Sequence, residues 1–115
     1  MTKLAYLISK MEGFGIPGAI PTVRNNPGDL EHAPGETHPA DAPNSVGSFA
    51  TPGEGWERLE QQLQEDAARG WTLEQFVYTY APPGENDSQQ YLNFLCAGGG
   101  WTPDTPVATA LQEQA

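Results

Sequence analysis

A chain of 115 residues suits one domain with one core, and 37% hydrophobic residues that include three Trp, four Tyr and four Phe argue against a disordered chain. A formal net charge of −10, with five basic residues scattered from Lys3 to Arg69, excludes a phosphate-neutralising surface, so no nucleic-acid partner is expected. No apolar run reaches membrane-spanning length and the N-terminus has no signal-peptide core, so the expectation is a protein made in the cytoplasm, with no membrane partner.

Thr2 to Met11 reads as the first helix. Leu4, Leu7, Ile8 and Met11 recur at i, i+3, i+4 and i+7, and Thr2 can cap the start. Glu12 follows directly, beside the apolar stripe and just before Gly13. On residue type alone most Glu are solvated surface groups. A carboxyl partly withdrawn from water, however, holds its proton to higher pH, as a general acid must.

Residues 13–50 carry twelve Gly and Pro and little helical periodicity. Asn26-Pro-Gly-Asp29 reads as a tight turn, and Val46 to Ala50 as a short strand. A small β-hairpin or irregular lobe is expected here, with Glu31 to Asn44 its most mobile part. Thr51-Pro-Gly-Glu54 reads as a capping box opening a helix that Gly70 ends. Trp56, Leu59, Leu63 and Ala67 make its buried face, while Glu57, Glu60, Gln61, Gln64 and Glu65 are expected in solvent. Thr72 and Gln75 open a third helix, with Leu73, Phe76, Val77 and Tyr80 at helical spacing, and Ala81-Pro82-Pro83 stops it. Asp87 caps a fourth helix reaching Gly98-Gly-Gly100, and a short last helix runs from Thr105-Pro106 to Leu111. Cys96, the only cysteine, sits in the apolar run YLNFLCA and reads as a buried structural thiol. His32 and His38 belong to no ligand pattern and read as exposed loop residues, so neither metal nor cofactor is expected.

Four segments, in order, resemble one family. RNNPGDL (Arg24 to Leu30) is similar to the RNNNPGNL signature of small phage and prophage proteins with a lysozyme-like or lytic-transglycosylase-like fold. SFATPGEGWERL (Ser48 to Leu59) resembles that family's FAT-x-x-EG helix entry, YAPPGENDSQQYLNFL (Tyr80 to Leu95) its APP-x-END-x-x-Y segment, and WTPDTPV (Trp101 to Val107) its closing motif. The chain departs from the signature twice: the three-Asn run is reduced to Asn25-Asn26, and Asp29 stands where the family has Asn.

The resemblance implies a mainly α (α+β), lysozyme-like single domain spanning residues 1–115, with about four to five helices and a small lobe. It implies cleavage of the β-1,4 bond between N-acetylmuramic acid and N-acetylglucosamine in peptidoglycan, with Glu12 as the single catalytic acid. The partners would be the bacterial cell-wall glycan and other virion proteins, met in the virion or at the wall after delivery by another route. Asn25, Asn26, Asp29, Tyr80 and Asn86 are the expected substrate-binding residues. Each has a plainer alternative: Asn25 and Asn26 as satisfiers of loop backbone, Asp29 as an Asx-type turn residue, Tyr80 as core, Asn86 as a helix cap. Tyr91 is expected to be a core aromatic. Two competing functions stay open: an inactive virion or tail component that keeps the fold and binds glycan, and an enzyme acting on another amino-sugar polymer such as chitin.

Overall fold

The computed structural model describes residues 1–31, 35, 37–38 and 46–115. Among these, six helices follow in chain order: α1 (Lys3–Glu12), α2 (Ile20–Val23), α3 (Pro52–Ala68), α4 (Leu73–Tyr80), α5 (Ser88–Gly99) and α6 (Val107–Ala110). The protein is mainly helical, and none of these helices is long and apolar enough to cross a membrane.

Local signals in the sequence start each of the longer helices. Thr2 Oγ1 accepts from Ala5 N at 3.2 Å, and Gly13, at φ +89°, ends α1 in the left-handed conformation that glycine adopts without a Cβ penalty. Thr72 and Gln75 complete a reciprocal capping box on α4, and Asp87 accepts from Gln90 N on α5. The expected box on α3 is only half formed. Thr51 accepts from Glu54 N, but the Glu54 carboxylate accepts from Ala50 N, one residue earlier than a capping box requires.

α1 packs on α5 and α3, α4 on α5, and α3 on α6. Leu4 and Ile8 of α1 meet Leu59 and Leu63 of α3, Phe76 and Val77 of α4, Leu92 and Leu95 of α5, and Val107 of α6 in one core. Cys96 lies only half-buried at the edge of this core, where burial pushes its thiol up from the ordinary value. Trp56 also differs from expectation. Its ring is half-buried and meets Phe14 edge-on at 5.4 Å between centroids, so it pins the irregular segment to α3 rather than filling the centre. Phe76→Ala should therefore cost about 3–5 kcal/mol and Trp56→Ala clearly less. Equal losses in denaturant melts of the two variants would contradict this assignment of core and edge.

Glu60 is not the solvated residue that the helix pattern predicts. Its carboxylate accepts from Thr2 N at 2.8 Å and from Thr2 Oγ1 at 2.6 Å, clamping the start of α1 to α3. The strand expected at Val46–Ala50 reduces to a single antiparallel bridge, in which Thr37 and Ser48 exchange both backbone bonds. α2 was not expected. Pro21 sits at its start and four residues complete it, too few to show a periodicity. Most of the Glu31–Asn44 stretch expected to be mobile, with His32, lies outside the described residues.

The Arg24–Leu30 loop is built on Asn26, whose side chain is fully buried. Its Nδ2 donates to Leu30 O at 2.9 Å and Gly47 O at 2.8 Å, and its Oδ1 accepts from Leu30 N at 2.9 Å. Asp29 N donates to Asn26 O at 3.0 Å and closes the expected tight turn. Asn25 and Asp29 both hold φ +53°, a region Asn and Asp enter more readily than other non-glycine residues. The loop lies directly on α3. A Cβ on Gly55 would stand 1.9 Å from Asn25 O, and one on Gly28 would stand 2.7 Å from Leu59 Cδ1 and 2.8 Å from the Tyr80 hydroxyl. These two glycines permit the close approach that sets the loop beside Glu12.

Candidate active site

A cavity of about 540 Å³ opens where the end of α1, the Gly28–Glu31 turn, α3 and the Tyr80–Asn86 segment converge. Glu12, Asp29, Tyr80 and Asn86 all line it, so four of the six expected site residues are brought together. Glu31, Gln62, Thr79 and Glu85 line it as well, which makes the wall strongly acidic, with no Lys or Arg among its lining residues.

Glu12 reaches the cavity because α1 stops one residue later. The Tyr91 hydroxyl donates to Glu12 Oε2 at 2.7 Å. Burial pushes the Glu12 carboxyl up from 4.5 to about 7; the Tyr91 hydrogen bond opposes this and the charge of Asp29 adds to it. Glu12 is thus close to half-protonated at neutral pH, the poise that suits a proton donor.

Tyr91 is buried, as a core aromatic should be, but it also holds the candidate acid. The sequence carries one signal for this. A buried Tyr needs a partner for its hydroxyl, and the same helix uses Phe94 where none is needed. Burial raises the hydroxyl pKa of both Tyr91 and Tyr80 well above the ordinary value, so both stay protonated donors. Tyr80 stacks on Phe76, with centroids 5.0 Å apart, and its hydroxyl donates to Gly28 O. It packs against the core from its edge, walls the cavity and anchors the turn that carries Asp29.

The two readings of Asp29 also combine. Its backbone is a turn residue, but the side chain that braces the turn is Asn26, which accepts from Leu30 N. The Asp29 carboxylate lines the cavity, and its Oδ1 is buried without a hydrogen-bond partner among the described residues. Burial raises its pKa, the charge of Glu31 adds to this, and Arg24 opposes it. Asn86 is exposed on the rim, 3.5 Å from Pro82 O, and the capping role falls to Asp87.

Asn25 and Asn26 do not line the cavity. The Asn25 side chain donates to Phe49 O at 3.0 Å, and Asn26 is spent on the loop backbone. They shape the site from behind. Among the described residues no group of three or more His, Cys, Asp or Glu side chains is arranged to hold a metal ion. Comparison of the chain with protein-family models, with curated proteins and with solved structures gives no match.

Proposed function

We propose that the protein is a lysozyme-like glycosidase that cleaves the N-acetylmuramic acid–N-acetylglucosamine β-1,4 bond of peptidoglycan, with Glu12 as its single general acid. The observation that carries this reading is the Glu12 carboxyl, held by Tyr91 at the wall of an open polar cavity with its pKa pushed up to about 7. Glycoside cleavage needs a proton delivered to the leaving oxygen as positive charge develops on the sugar ring. Glu12 supplies the proton. The surrounding carboxylates favour the developing positive charge. The substrate's own acetamido oxygen displaces the leaving group at the anomeric carbon. The C6 hydroxyl then displaces the acetamido oxygen, returning its proton to the Glu12 carboxylate and closing the 1,6-anhydro ring, as in the transglycosylases the sequence resembles. The phage-type motifs fit action from a virion or at the wall after delivery. The test is clearing of a suspension of purified cell walls, expected from the wild-type chain and absent from Glu12→Gln. A wild-type chain that binds walls without clearing them would favour the non-catalytic virion component, and one that degrades only chitin would move the substrate to that polymer.

The unpartnered Asp29 oxygen favours a second reading, in which Asp29 acts as nucleophile or as base for water. Asp29→Asn separates the two. With the acetamido group at work, the rate at pH 5 stays within a few-fold, the products carry 1,6-anhydro ends, and the upper limb of the pH profile moves down, because a charge that raises the Glu12 pKa is gone. A fall of orders of magnitude, with reducing ends only, would make Asp29 the second carboxylate.

A further inference from the structure

The groove does not end at Glu12. A second cavity of about 300 Å³ shares Gln62, Thr79 and Tyr80 with the first, so the two lie side by side along α3 and α4. Its far end is made by Asp66, Arg69 and Trp71. Gly70, at φ +77°, reverses the chain between Arg69 and Trp71. The Trp71 indole is half-buried, with part of its surface against the core. The Arg69 guanidinium lies over the ring, 5.3 Å from its centroid. Asp66 is buried, accepts from Gln62 Nε2 at 3.3 Å and faces Arg69 Nε at 3.6 Å.

We propose that this end of the groove is a separate sugar-ring subsite, which holds an N-acetylhexosamine of the same glycan strand remote from the bond cleaved at Glu12. The proposal rests on the glycosidase reading. A pyranose ring has an apolar face of C–H groups and a rim of hydroxyls. The apolar face matches an indole, and the rim matches a carboxylate, an amide and a guanidinium set around it. Trp71, Asp66, Gln62 and Arg69 supply that set. The cavity around Glu12 offers carboxylates and no indole. Arg69 is exposed and its ion pair is long, so the guanidinium swings off the ring face as the sugar arrives and turns its N–H groups to the hydroxyls. Binding energy gained here, away from the reacting centre, helps to hold the strand in register with Glu12.

Calorimetry on the Glu12→Gln protein with chitobiose and chitohexaose tests this without turnover. The long oligosaccharide should bind at least about tenfold tighter than the short one, and adding Trp71→Ala should remove that gain while leaving chitobiose unchanged. Trp71→Phe, which keeps an aromatic ring against the core, should retain part of the gain and serves if the Ala variant does not fold. An undiminished gain in a folded Trp71 variant would overturn the subsite. So would no gain in the parent protein, or a Trp71 effect seen only with peptide-bearing wall fragments, which would make the site a reader of peptide carboxylates. Clearing of walls by the wild-type chain is read separately. Clearing without the length-dependent gain sinks the subsite alone, and the gain without clearing sinks the glycosidase alone.

Discussion

Glu12→Gln should abolish wall cleavage and make the protein more stable at pH 8. The side chain keeps its shape and can still accept from Tyr91, so the fold and cavity persist, but it has no proton to give. The loss of rate should be about 10²–10⁴-fold or more. The stability gain follows from the raised carboxyl. In the unfolded chain Glu12 ionises near 4.5, and in the folded chain near 7. Its favourable contribution is therefore complete below pH 4.5 and is lost as pH rises through 7, by up to about 3 kcal/mol. Gln does not ionise and escapes this loss. Melts of the two proteins should coincide at pH 4 and diverge at pH 8, with the variant the more stable. The same carboxyl sets the upper limb of the wild-type activity profile, which should fall as pH rises past about 7. A variant no more stable at pH 8 would mean that the acid is not desolvated in the fold.

Asn26→Ala should be among the most damaging substitutions outside the apolar core. It strips the partners from Leu30 N and Gly47 O, both reached from one fully buried side chain, and takes one of two bonds from Leu30 O, which keeps the Gly47 N–H. Each buried polar group left unpaired costs about 1–3 kcal/mol, so a loss of at least about 2 kcal/mol is expected. The turn that carries Asp29 would come away from α3, and activity would fall in the fraction that still folds. Asn25→Ala removes one bond, to Phe49 O, adds the strain of an Ala at φ +53°, and should still cost less. Equal effects in urea melts would contradict the reading of Asn26 as the loop's central support.

What the sequence reveals here is local chemistry. Thr2, Thr72 with Gln75, and Asp87 mark helix starts because a cap and its helix are only a few residues apart. Glu12 is conspicuous because a carboxylate at a helix end meets a Gly-rich loop. What stays hidden is joined across the chain. Glu60 reaches Thr2 over 58 residues, and Tyr91 reaches Glu12 over 79. On α3 the i+4 pattern reads Glu60 as solvent-facing, because the pattern knows nothing of what arrives from α1. The cavity has the same character. Gln62, Thr79 and Glu85 come from three segments, and only the packed fold makes them neighbours. The Asn-Pro-Gly motif lies against the cavity for a reason the letters do not give: its asparagines hold the loop, and the residue after Gly28 faces the cavity.

The central claim is that Glu12 donates a proton to a glycan bond, and the most direct measurement is mass spectrometry of the soluble fragments released from purified peptidoglycan. The account predicts muropeptides newly ended at N-acetylmuramic acid, produced by the wild-type chain and not by Glu12→Gln. Fragments cut only in the peptide stems, or the same glycan ends from Glu12→Gln, would contradict it.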